Sequence, residues 1–187
     1  MTDTTWHLTA SSGSVTVYTD VAGRAARAGH RLIIEMREWS ADVTWAAGVP
    51  AGLEAVVLVD SLTVVSGTGG LTPMTGAERA VARVNALKSL EADKFGEINF
   101  VAEAITATDE GFRAHGTLTV HGRRRAQAVE LLVTETDDRW DIRSETILAQ
   151  TDFGVRPYSL MMGSLKVADE VQVIIDVSYT KECDVSQ

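Results

Sequence analysis

Gly111-Phe-Arg-Ala-His-Gly-Thr-Leu-Thr-Val-His-Gly-Arg-Arg-Arg-Ala-Gln-Ala-Val-Glu-Leu-Leu-Val133 reads as two extended runs joined at a Gly-Arg corner. In the first run Phe112, Ala114, Leu118 and Val120 share one parity, and Arg113, His115, Thr117, Thr119 and His121 share the other. A period of two marks a strand with one dry face and one wet face. In the second run Val129, Leu131 and Val133 share a parity. Neighbouring antiparallel strands would therefore turn their apolar rows toward the same interior, forming a hairpin wall of a sheet or barrel.

The same alternation extends outward in both directions. Upstream lie Trp6-His-Leu8 and Val15-Thr-Val-Tyr18, separated by the turn composition Ser11-Ser-Gly-Ser14. Ala22 to Gly29 favours a short helical turn. A second hairpin then carries Leu32, Ile34 and Met36, followed by Ala41, Val43 and Trp45. Val49-Pro-Ala-Gly52 reads as a loop before the run Leu53, Ala55, Val57, Val59. Downstream, Trp140, Ile142, Thr146 and Leu148 follow an Asp137-Asp138 turn, and Val171, Val173, Ile175 and Val177 form the closing strand. Thr75-Gly-Ala-Glu78 has capping-box spacing and opens a helix predicted over 75–92. Its apolar stripe is Ala77, Val81, Val84 and Leu87. Geometry leaves open whether this helix is a lid over a barrel mouth or a cover for a sheet edge.

Composition narrows the function. With 187 residues, 45% hydrophobic and 23% charged, the chain suits one domain, with a core over 6–179 and a polar tail over 180–187. The 26 acidic and 17 basic residues leave a net charge of −9, so bulk charge disfavours nucleic acid and anionic headgroups. Cys183 is the single cysteine and cannot form an internal disulfide. No run approaches the 18 apolar residues of a membrane span, and Met1 to Trp6 lacks the layout of a secretory signal.

Catalytic constellations are sparse. Gly-x-Ser-x-Gly and His-Glu-x-x-His are both absent. Ser66-Gly-Thr-Gly-Gly-Leu-Thr72 lacks the Lys-Ser or Lys-Thr of a phosphate loop and reads as a connector. His115 and His121, six residues apart, would stand roughly 20 Å from each other at about 3.3 Å per residue, too far for one metal. His30 suits a hydrogen-bonded structural role. Arg123-Arg124-Arg125 is either a solvated corner or a rim cluster gripping a phosphate or carboxylate headgroup. In Asp152-Phe153-Gly154, Phe153 is expected to pack inward, Gly154 to allow a bend and Asp152 to bond nearby backbone.

Gly116-Thr-Leu-Thr-Val-His-Gly122, followed by Thr151-Asp-Phe-Gly-Val155, resembles the YceI-like family from about Trp6 to Tyr179. Phe95-Gly-Glu-Ile-Asn-Phe100 resembles the family's aromatic-Pro-x-Ile-x-Phe entry, with Gly96 in place of proline. The resemblance implies a mainly β chain folded as an antiparallel lipocalin-like barrel of about eight strands, with the helix as lid or plug. It also implies non-enzymatic binding, transport or sequestration of a polyisoprenoid, isoprenoid quinone or fatty-acyl ligand, without a cofactor or membrane insertion. The expected contacts are the apolar-parity residues Phe112, Leu118, Val120, Leu131, Trp140, Ile142, Val173 and Ile175, capped by Val81, Val84 and Leu87. An enzyme or isomerase with a similar cavity, or a scaffold with a packed barrel, shows the same alternation. A homodimer is expected, since many relatives look dimeric. A cytoplasmic location is expected as well, in contrast to the many exported members.

Overall fold

The computed structural model describes residues 4–181, so Cys183 and most of the polar tail lie outside the described residues. The strands are β1 (Thr4–Thr9), β2 (Gly13–Ala22), β3 (His30–Met36), β4 (Trp39–Ala46), β5 (Val49–Leu58) and β6 (Leu62–Gly69). After helix α1 (Gly76–Ser89) come β7 (Glu97–Thr108), β8 (Gly111–Val120), β9 (Arg123–Glu135), β10 (Arg139–Ala149), β11 (Ser159–Leu160) and β12 (Leu165–Thr180). All pair antiparallel in one curled sheet with the order β1-β4-β5-β7-β8-β9-β10-β12-β2-β3-β6, and β11 adds to β12.

The sheet has twelve strands, not eight. Eight is the count of a closed lipocalin-like barrel, whereas here the hydrogen-bonded path is open, with β1 and β6 at its ends. Two stretches expected as loops are parts of strands. Val49-Pro-Ala-Gly52 belongs to β5, because Ala47 (φ 53°) and Gly48 (φ 83°) make a two-residue turn that lets Val49 pair with Ala46. Ser66 to Gly69 continues β6 against β3.

The helix lies along the free side of β6. The Arg83 guanidinium donates to the Leu62 carbonyl at 2.7 Å and to the Asp60 carbonyl at 2.6 Å, satisfying acceptors that no neighbouring strand reaches. The expected capping box is present. Thr75 Oγ1 accepts from the Glu78 N–H, and Glu78 Oε2 accepts from the Thr75 N–H. The helix stops at Ser89 rather than 92, in a C-terminal motif that usually carries glycine. Here Glu91 takes the left-handed conformation (φ 46°). The Ala92 N–H bonds the Leu87 carbonyl, and the Glu91 N–H bonds the Lys88 carbonyl. Without glycine the stop has no sequence signal.

The β8–β9 corner is His121-Gly122, both at positive φ (52° and 70°), rather than a Gly-Arg pair. The turn fixes the register. Arg125 falls opposite Leu118 and Arg123 opposite Val120, so both take the parity of the inner face, while Arg124 lies opposite Thr119 on the outer one. The buried core forms two clusters. One holds Leu8, Val15, Ile34, Met36, Trp39, Leu62, Val64 and Val177, and the other Phe100, Ala114, Leu118, Val120, Phe153 and Val155.

Candidate site: an apolar cavity inside the curled sheet

The two core clusters do not fill the sheet. Its inner face encloses a cavity of about 920 Å³. Side chains reach it by the two-residue period of the strands: Val15, Val17, Thr19 and Val21 from β2, Val129 and Leu131 from β9, and Val171, Val173, Ile175 and Val177 from β12. From α1, Ala82, Asn85, Ala86 and Ser89 reach it at helical spacing. The helix thus substitutes for a missing strand of wall, covering a sheet edge and facing the cavity at once.

Exposure locates the mouth. Among the lining residues, Leu71 is 82% exposed, Val81 60% and Leu160 47%. They line the cavity together with His30 from the start of β3, Thr72 from the loop before α1, Glu78 from the first turn of α1 and Lys166 from the start of β12. The far end of the β10–β12 ladder carries an aromatic cluster instead. Trp6 stacks on Tyr179 with centroids 4.1 Å apart, Trp45 and Trp140 pack edge-on at 5.2 Å, and Phe112 lies 6.4 Å from Trp140.

Of the residues expected to touch a ligand, Leu118, Val120, Leu131, Ile142, Val173, Ile175 and Val81 line the cavity. Phe112 and Trp140 belong to the aromatic cluster, Leu87 packs on the first core cluster, and Val84 is exposed. Arg123, Arg124 and Arg125 are not among the lining residues. Arg125 Nε donates to the Asp152 carbonyl at 3.0 Å, and the Arg123 side chain lies against Gly154, where a Cβ would strike it. Two arginines of the triplet therefore brace the Gln150–Phe153 turn that covers the sheet end beside β9, β10 and β12.

Within that turn Phe153 is buried and Gly154 is left-handed (φ 72°), as expected of a bend. The carboxylate that bonds this backbone is Asp169 rather than Asp152. Asp169 accepts from the Thr151 N–H at 2.9 Å and from the Thr151 hydroxyl at 2.6 Å. The Thr151 hydroxyl first, and then its N–H, hold the Asp169 carboxyl below the ordinary carboxylate range.

Sequence reasoning missed the half of the wall built from β2, β3 and β4, including Val17, Leu32 and Trp39, along with Met74 and Tyr158 from the loops. The signal was present in the alternation of 15, 17, 19 and 21. What it lacked was the β12–β2 pairing, which brings residues more than 150 positions apart into one wall.

The ionisable side chains lining the cavity are His30, Glu78, Tyr158 and Lys166. The His30 ring shares a 2.8 Å hydrogen bond with the Thr72 carbonyl. Glu78 is engaged in the helix cap, whose Thr75 N–H lowers its pKa. Among the described residues no three His, Cys, Asp or Glu side chains gather as a metal site, and no helix is long and apolar enough to cross a membrane.

Comparison with known proteins finds the same architecture. The family model described as the YceI-like domain matches residues 6–179. The crystal structure of Burkholderia cenocepacia BcnA superposes with a TM-score of 0.69 at 17% identity, covering 90% of this chain and 96% of that one. The Campylobacter jejuni YCEI protein superposes with a TM-score of 0.59 at 13% identity, covering 80% and 85%. At these identities the likeness is one of fold. No curated protein matches the sequence significantly.

Proposed function

Because this chain belongs to the YceI-like family of polyisoprenoid- and lipid-binding β-barrel proteins, we propose that it holds one long apolar ligand, of polyisoprenoid or fatty-acyl type, inside the curled sheet. The observation that carries this reading is the 920 Å³ cavity walled by aliphatic side chains. Protein interiors pack at crystal-like density with few voids larger than a water molecule, so a hollow of this size is a site rather than a packing defect. Burying one five-carbon unit yields about 4 kcal/mol gross at about 0.8 kcal/mol per methylene. Two or three units would therefore support micromolar binding after the cost of ordering a flexible chain.

A carrier role rather than catalysis is supported by the placement of charge. Among the described residues the ionisable side chains that line the cavity are His30, Glu78, Tyr158 and Lys166, and of these His30 and Glu78 are already hydrogen-bonded to backbone. The ligand would lie along Leu118, Val120, Leu131, Ile142, Val173 and Ile175, with its outer end passing Val81.

The test is extraction of the purified protein into organic solvent, followed by mass spectrometry. A copurified chain of repeating isoprene or methylene units is the expected result. Uptake of a fluorescent isoprenoid should fall at least tenfold in Ala55→Phe, which places a ring inside the wall. Undiminished uptake by the folded variant refutes binding in this cavity.

A further inference from the structure

We propose that the mouth of the cavity is a docking surface for a lipid bilayer containing anionic headgroups, and that ligand passes between bilayer and cavity there; this rests on the ligand-binding reading above. β11 and the start of β12 form a hairpin, with Leu160 paired to Leu165. Its tip, beyond Leu160, is Met161-Met162. Met161 is 69% exposed and Met162 wholly so. Both are left-handed (φ 52° and 53°), an uncommon conformation for bulky side chains, and it projects two apolar groups into water. Leu71 and Leu160, also exposed, carry this apolar surface into the cavity itself.

Cations flank the tip. The turn that follows β2 packs directly on it, with the Ala25 N–H donating to the Ser164 carbonyl at 2.8 Å. This close approach requires glycine at position 23, where a Cβ would meet the Ser164 carbonyl at 2.3 Å. The turn presents Arg24 and Arg27. Arg24 lines one depression with Met162 and Lys166. Among the described residues none of these three cations forms an ion pair, although the field of Lys166 reaches Asp169. Asp20, the nearest acid on β2, is already paired with Arg31.

A chain of net charge −9 thus leaves unpaired cations beside its exposed methionines, at the opening of an apolar cavity. Apolar side chains ringed by Lys and Arg are the chemistry of interfacial membrane binding, in which the former enter the acyl boundary and the latter meet anionic headgroups. A water-insoluble ligand would then never cross bulk water. The charge complementarity selects a bilayer carrying acidic lipid over a neutral one.

Vesicle sedimentation tests this with the purified protein. The expected result is binding to vesicles of phosphatidylcholine with one-third phosphatidylglycerol, weakened by salt, and much less binding to phosphatidylcholine alone. The double variant Arg24→Glu/Arg27→Glu should lose at least about twentyfold in partitioning, since each basic residue near an anionic surface contributes about fivefold. Met161→Asn/Met162→Asn, which keeps residues tolerant of the left-handed conformation, should lose about tenfold. None of the four side chains lines the cavity. Uptake of a fluorescent isoprenoid delivered from cyclodextrin should therefore be unchanged in both variants. A wild-type protein that does not sediment with the acidic vesicles, or variants that sediment as it does, overturn the docking surface. Failure of cyclodextrin-delivered uptake in the wild type overturns the ligand-binding reading instead.

Discussion

Ser144 sits on β10 between the cavity-lining Ile142 and Thr146, on the same parity. It is 2% exposed, and its hydroxyl has no hydrogen-bond partner among the described residues. A buried hydroxyl without a partner costs about 1–3 kcal/mol. Ser144→Ala should therefore hold or raise the midpoint of chemical unfolding, and a clear drop would mean that the hydroxyl is satisfied in solution. Asp169 makes the opposite case. Its pKa is depressed in the folded state, so its contribution is complete above the ordinary aspartate value of about 3.9 and disappears as pH falls through the lower folded value. Asp169→Asn should be less stable than the wild type at neutral pH, and the two unfolding midpoints should converge as the solution is acidified below the ordinary aspartate value. A gap that stays constant over this range would show that the bond to Thr151 does not depend on the charge. Neither role was legible in the sequence. Alternation assigns Ser144 to the inner face but cannot count its partners, and Asp152 lies next to the turn while Asp169 reaches it only through the fold.

At the scale of elements, α1 is held at its start by a side-chain capping box, at its end by backbone bonds and along its length by Arg83. Thr75→Ala removes the acceptor for the Glu78 N–H and should cost about 1 kcal/mol in global stability. At the other end Glu91 stays left-handed, and its carboxylate bonds the His121 ring, itself in a left-handed turn residue. Glu91→Ala keeps the strained backbone and loses the bond, whereas Glu91→Gly loses the bond and relieves about 1 kcal/mol of strain. The glycine variant should therefore unfold at the higher denaturant concentration of the two, and the reverse order would show that the turn is not left-handed in solution. The start of the helix was legible because a capping box is a local pattern. Its end was not, because the residue that stops it is glutamate, stabilised by a histidine 30 positions away.

Across the whole molecule, an occupied cavity stabilises by mass action. Ligand at about 100 times its Kd should add about 2.7 kcal/mol and raise Tm in a concentration-dependent way. A Tm that does not move while the fluorescent isoprenoid binds would show that folded and unfolded chains bind it equally, which a site made by the fold cannot do. The sequence by itself determined the class of architecture. Apolar alternation repeats in run after run, a feature of each strand's own pleat, and the capping box places one helix among them. It also determined which face of each strand points inward, and hence Leu118, Val120, Leu131, Ile142, Val173 and Ile175 as wall residues. Only tertiary structure decided that the interior is hollow, because a filled core and a lined cavity show the same alternation. It likewise decided that the helix is part of the wall and that Phe112 and Trp140 join an aromatic cluster. The two-residue turn at His121-Gly122 and the bracing of Gln150–Phe153 by Arg123 and Arg125 sent two of the three arginines to the inner side. Register and long-range pairing set these outcomes. They depend on which strands meet, and no local pattern of residues records that.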